Sequence, residues 1–301
     1  MKKFSGKIFA LLALIILFTN CNRHKDSKGN VIEPLEETKT VKLPVPDHIV
    51  IVVEENHSYS QIVESANAPY ISSLSKDPYS ASFINAFATT HPSQPNYLNL
   101  FSGSTQGVNN NYHSPHAPFT TPNLGSELIG AGKSFATYAE GLPIAGYNGD
   151  IRGEYVRKHN PATNWIGTGN NQIPATTLQP LSAFPADFSK LPTVSIIIPN
   201  DNNNMHDGSI RTADEWLKNN LNNYIQWAKT HNSLFILTFD EDDMRHGNHI
   251  VTIFTGAMIK SGHYSQKINH FNLLRTIEDM YNLPHAGYAA SVKPIHNCWK
   301  Y

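Results

Sequence analysis

Three uninterrupted apolar runs, each stopped abruptly by acids or amides, constrain this chain most: HIVIVVEEN at 48–56, VSIIIPND at 194–201 and LFILTFDEDD at 234–243. They are short, rich in β-branched residues and apolar on both faces, which is the pattern of strands buried inside a sheet. Amphipathic helical segments separate them. Over residues 212–231, Trp216, Leu217, Leu221, Tyr224, Ile225 and Ala228 share one face, and over 271–283 Leu274, Ile277 and Tyr281 do. Further strands are expected at 83–87, 134–138 and 250–254, and shorter helical stretches at 70–74, 97–101 and 124–129. The alternation predicts an α/β fold, a mostly parallel central sheet with helices on both faces. Such sheets bind ligands beyond the carboxyl ends of their strands, where the polar stops of these runs fall. Residues 109–123 read as a loop. Residues 141–188 are irregular and too long for a plain connection, so they are expected to cover something functional.

The polar stops carry the chemistry. Glu54, Glu55 and Asn56 end the first run, and Asp240, Glu241, Asp242 and Asp243 end the third. Crowded carboxylates repel and are costly to bury unless a cation neutralises them. Either cluster alone fits a solvated loop end; both at strand ends favour a divalent metal, Mg, Ca, Mn or Zn. Ser93 lies in HPSQPNY (91–97), where Pro95 suits a first helical position and Ser93 falls at or just before the cap. A helix N-terminus favours a phosphate and a serine alkoxide alike. From these seven residues, a plain N-cap serine and a nucleophile are both admissible.

The N-terminus reads as a targeting segment. Lys2, Lys3 and Lys7 precede an apolar run at 8–18, too short to span a bilayer comfortably, and Cys21 follows it. This is the pattern of a bacterial lipoprotein signal over 1–20, with lipidation at Cys21, a tether over 21–46 and one folded domain over 47–301. A secretory signal with a chance cysteine is the alternative. The expected location is the bacterial cell envelope, lipid-anchored, periplasmic or outer-membrane associated. Formal net charge is −1 and no basic patch stands out, so nucleic acid is not an expected partner. Histidine is unusually frequent, 15 residues against 23 Lys and Arg together, and it is both a metal ligand and a proton shuttle.

Five ordered motifs, VVEENHSY, HPSQPNY, PNDNNNMHDG, TFDEDD and NHFNLLRTIEDMY, resemble the phosphoesterase family of bacterial acid phosphatases and phospholipases C. The resemblance spans residues 47–283 and implies an alkaline-phosphatase-like fold. It places metal ligands at Glu55, Asn56, Asp240 and Glu241, a nucleophile at Ser93, and His206 and Asp207 near the site. Some members carry two aspartates where this chain has Asp240 and Glu241. His91, His113 and His116 are further candidates for holding phosphoryl oxygens or protonating a leaving group, although 113 and 116 equally fit exposed loop histidines. Asn96, His116 and Asp207 are the expected substrate contacts. The implied activity is a metal-dependent phosphomonoesterase acting through a phosphoserine on a small phosphorylated substrate. The alternatives are a phosphodiesterase of the phospholipase C type, acting on a phospholipid headgroup, and a lipid-anchored binder without turnover.

Overall fold

In the computed structural model, which describes residues 42–300, the chain first forms β1 (His48–Glu54), α1 (Tyr59–Ile62), α2 (Pro69–Ser75), β2 (Ser80–Phe83), β3 (Ala86–Phe87) and α3 (Ser93–Ser102). It continues through α4 (Leu124–Gly130), β4 (Phe135–Ala139), β5 (Ile151–Arg152), β6 (Tyr155–Val156), β7 (Leu178–Pro180) and β8 (Val194–Ile198). It ends with α5 (Ile210–Ala228), β9 (Ser233–Phe239), β10 (Thr252–Thr255), β11 (Gly262–Tyr264), β12 (Ile268–Asn269) and α6 (His270–Tyr281).

Eight strands form one sheet in the order β11-β2-β10-β9-β1-β8-β4-β7. The run β9-β1-β8-β4-β7 is parallel throughout. β10 lies antiparallel between β9 and β2, so the sheet is mostly parallel with one reversed strand. All of Ile49–Glu54, Val194–Ile198 and Ser233–Phe239 is buried, as the apolar runs require. Two helical groups cover the sheet: α2 packs on α5, and α3 packs on α4 and α6. The Ser209 side chain caps α5 at Thr212 N, and Asn269 caps α6 at Phe271 N and Asn272 N. Both helices therefore begin slightly before the periodic apolar residues.

Several local expectations change. Residues 83–87 form two strands, because the chain turns at Ile84 and Asn85. The irregular 141–188 stretch contains the β5–β6 hairpin and an edge strand, β7. In α3, Pro92 is the cap, Ser93 the first helical residue and Pro95 the third. Pro95 is tolerated there because the first N–H groups of a helix have no partner within it. Gly103 ends α3 in the left-handed region, and a Cβ there would lie 2.1 Å from Ala286 O.

The compact unit begins at Lys42, ahead of the expected Asp47. Leu43 is buried, and Tyr281 Oη donates to Pro46 O at 3.0 Å. The signal segment, Cys21 and the rest of the tether lie outside the described residues.

Candidate active site

Three adjacent parallel strands, β8, β1 and β9, end side by side, so the residues that follow them meet. Glu55 and Asn56 follow β1, Asp240 and Glu241 follow β9, and Asp201 lies just past β8. Asp240 N donates to Glu54 O at 3.0 Å and Glu55 N to Asn204 O at 2.8 Å, which ties the three ends together. Asn56 adopts a left-handed φ of 52°, a conformation asparagine tolerates, and its N–H donates to Asp240 Oδ1 at 3.1 Å. Helix α3 carries Ser93 into this corner. Ser93 Oγ donates to Glu55 Oε2 at 2.9 Å and lies 3.2 Å from Glu241 Oε1.

The carboxyls here share one electrostatic problem. Burial, then the Asp240 charge, holds Glu55 well above the usual carboxylate range, against hydrogen bonds from Tyr97 Oη and Ser93 Oγ that favour its anion. Burial, then Glu241, pushes Asp240 up to about 7. Glu241 is likewise raised to about 7, chiefly by burial. Asp240 Oδ2 is buried with no hydrogen-bond partner. The Asn56 amide is satisfied with its nitrogen donating to Glu55 Oε2 and Glu241 Oε1, both at 3.2 Å; turned over, it offers an oxygen to the same point. Hard oxygens converging from Glu55, Asn56, Ser93, Asp240 and Glu241, one of them orphaned, fit a divalent cation.

Histidines ring this corner. His91 Nδ1 lies 2.9 Å from Glu241 Oε2 and its Nε2 3.2 Å from Asp242 Oδ1, so it orients Glu241. Asn96 Nδ2 is 3.4 Å from Glu241 Oε2, while its Oδ1 accepts from Thr89 Oγ1 at 2.8 Å and from the Thr89 and Thr90 N–H groups at 3.2 Å. Asn96 thus fastens the turn ahead of α3. His206 Nδ1 is 2.7 Å from Asp207 Oδ1, and its Nε2 is 3.1 Å from Lys158 Nζ. Asp207 is exposed. His113 pairs with Asp150 at 2.9 Å on a cleft of about 220 Å3 that Gln94 and Lys158 also line. His116 lies on a different cleft, with Gln106 and Val108. Asp242 accepts from the backbone N–H groups of Met244, His246 and Asn248, holding the loop after β9.

Sequence reasoning gave no role to His159, Asp201, Tyr97 or Lys158. His159 is fully buried, with Nε2 3.1 Å from Glu55 Oε1 and Nδ1 3.2 Å from Asp201 Oδ1. Its Nε2 contact lacks hydrogen-bond geometry, its Nδ1 lies 3.3 Å from Asn204 Nδ2, and burial lowers its pKa to about 4, which favours the neutral ring. Glu55, His159 and His206 offer ligand atoms within 4.8 Å of one another. His159 arrives from the irregular 141–188 stretch, where no periodicity marks it. The only signal is its place in KHNP, between the buried aromatics Tyr155 and Trp165.

The phosphoesterase family model matches residues 80–284. A phosphatidylinositol-3-phosphatase of Mycobacterium tuberculosis is 47% identical over 259 residues, which cover 85% of this chain and 84% of that protein. A probable acid phosphatase of Kluyveromyces lactis is 27% identical over 87% of this chain, which spans 64% of that longer protein. Among solved structures, an alkaline phosphatase superfamily protein from Vibrio parahaemolyticus superposes with a TM-score of 0.55 at 12% identity, covering 84% of this chain and 71% of that one. A phosphonate monoester hydrolase from Silicibacter pomeroyi gives 0.52 at 13% identity, covering 84% and 76%. At those identities the likeness shows the fold alone. The family match and the mycobacterial relative show more: this chain belongs to the phosphoesterase family and is a phosphoric ester hydrolase.

Proposed function

We propose that the protein is a metal-dependent phosphomonoesterase that works through a phosphoserine at Ser93. The observation that carries this reading is Ser93 Oγ itself, at the first residue of a ten-residue helix and within 3.2 Å of Glu55 and Glu241. A divalent ion held by Glu55, Asn56, Asp240 and Glu241 would offset most of the carboxylate charge, lower the serine pKa and stabilise charge on the transferring oxygens. Ser93 loses its proton and its Oγ attacks phosphorus. The bond to the leaving oxygen breaks in line, and the departing alcohol takes up a proton. Water then attacks the phosphoserine, releases phosphate and restores the Ser93 hydroxyl. His91 and Asn96 keep Glu241 in place, while Tyr97 holds Glu55. Positioning and charge stabilisation supply most of the catalysis in phosphoryl transfer.

The name of the mycobacterial relative supports a phosphorylated lipid headgroup as one substrate beside small phosphomonoesters. A lipid anchor at Cys21 would hold the enzyme in the cell envelope, and metabolic labelling with a fatty acid, lost in Cys21→Ala, would test it. For the activity, 4-nitrophenyl phosphate would be hydrolysed by the full chain with and without chelator, beside Ser93→Ala. Turnover lost in both arms supports the mechanism. Unchanged turnover in Ser93→Ala would exclude it. Failure to turn over any ester, with folding intact and metal supplied, would favour a binding protein.

A further inference from the structure

The cleft lined by Gln94, the residue after Ser93, contains among the described residues one cation that is not occupied in holding the fold together. Arg157 is buried, and its guanidinium donates to Asn148 Oδ1 at 2.8 Å, Asn164 Oδ1 at 3.0 Å and Thr163 O at 3.1 Å. Its neighbour Lys158 is half-buried and lines the cleft with Gln94, the residue after Ser93. Among the described residues the Lys158 ammonium has no carboxylate partner; it donates to His206 Nε2 at 3.1 Å. Yet its partner His206 offers a ligand atom within 4.8 Å of those of Glu55 and His159, which places the ammonium at the edge of the site. Arg157 and His159, pinned on either side, fix the backbone from which it reaches out. A cation held this way stabilises an anion without reorganising.

We propose that Lys158, seated on His206, selects dianionic phosphomonoesters over phosphodiesters by binding a non-bridging phosphoryl oxygen with its ammonium. This rests on the phosphoserine reading of the same site. The charges motivate it. The three carboxylates of Glu55, Asp240 and Glu241 outweigh one divalent cation by a single charge. A diester brings one further negative charge to such a centre, and a monoester dianion brings two. The helix end offers limited help, because Gln94 N–H already donates to Asn111 Oδ1 at 3.0 Å and Pro95 has no N–H. An extra fixed cation therefore matters most for the dianion. His206, held by Asp207, presents a ring nitrogen that keeps the ammonium aimed until substrate arrives.

The test compares kcat/KM for 4-nitrophenyl phosphate and methyl 4-nitrophenyl phosphate in the full chain, as wild type, Lys158→Gln, Lys158→Arg and His206→Ala. Thermal melts check that each variant is folded. Lys158→Gln should lose about 10²–10³-fold on the monoester and only a few-fold on the diester. Lys158→Arg, which keeps the charge, should hold the monoester-to-diester ratio within about tenfold of wild type. Inhibition by inorganic phosphate should weaken about 10²-fold in Lys158→Gln. Equal losses on both substrates, or no loss, would overturn the proposal. So would two metal ions per chain in wild type falling to one in His206→Ala, because the second ion would then supply the charge. Should Ser93→Ala retain turnover, the phosphoserine reading falls, while the ratio and the phosphate inhibition still judge Lys158.

Discussion

Two of the regions where this molecule buries carboxyls are built differently. At the carboxyl end of the sheet, Glu55, Asp240 and Glu241 converge with a serine, two histidines, a tyrosine and two asparagines contributed by several elements. At the seam between α4 and α6, Glu278 is fully buried beside the partly buried Glu127, and among the described residues it accepts one hydrogen bond, from Ala286 N–H, 2.9 Å from its Oε1. Burial raises Glu278 to about 8 and Glu127 to about 7. Among the described residues, neither Glu127 oxygen nor Glu278 Oε2 has a hydrogen-bond partner. Burial favours the neutral form of both seam carboxyls, whereas the proposed cation would balance those at the sheet end. A raised carboxyl pKa alone therefore does not mark a catalytic centre; converging donors around a nucleophile do.

The comparison breaks first at the sheet end. Adding a divalent cation should stabilise the chelated protein by about 2.7 kcal/mol at a hundred times its Kd, or about 5–10 °C in melting temperature for a domain of this size. Asp240→Asn should abolish most of that rise and lower kcat/KM about 10²–10³-fold. Glu278→Gln should leave the cation-induced rise unchanged.

The seam is sharpened by pH. The folded protein keeps a proton on Glu278 that the unfolded chain releases above its ordinary value of 4.5, so stability is full below that pH and is lost as pH rises toward about 8. In chelator, Asp240 and Glu241 add to the same fall, up to about 7. Saturating cation should remove their share and leave the seam's. Glu278→Gln should then melt roughly 10 °C above wild type at pH 8 and at the wild-type temperature near pH 4.5. Melting curves at both pH values check this.

The smallest effect is expected at Tyr97. Its hydroxyl favours ionised Glu55. Tyr97→Phe should reduce kcat about 5–10-fold and move the acid limb of the pH–rate profile to higher pH, since Glu55 would hold its proton longer.

The sequence shows the sheet-end site well because its architecture is written in apolar runs. Where IVIVV and FILTF stop, Glu55 and Asp240 must lie near one another if the strands are parallel neighbours, and β1 and β9 are. Ser93 is legible through its prolines, although it opens the helix rather than preceding it. The DEDD run looks uniform, yet Asp240 and Glu241 turn into the site while Asp242 secures its own loop. Periodicity cannot separate such neighbours after a strand has ended. His159 and Lys158 are illegible for a related reason: they come from an aperiodic excursion between β4 and β8, and their position depends on buried contacts such as Arg157 with Asn164. The seam is hidden because Glu127 and Glu278 sit on helices far apart in sequence, where each alone looks like a surface charge.

The most direct test is rapid acid quenching of the cation-loaded enzyme during turnover of a phosphomonoester, followed by peptide mass spectrometry. One phosphoryl group on the peptide containing Ser93, absent after chelation and absent in Asp240→Asn, is the predicted result. Full turnover with Ser93 never phosphorylated, and unaltered in Ser93→Ala, would contradict the account.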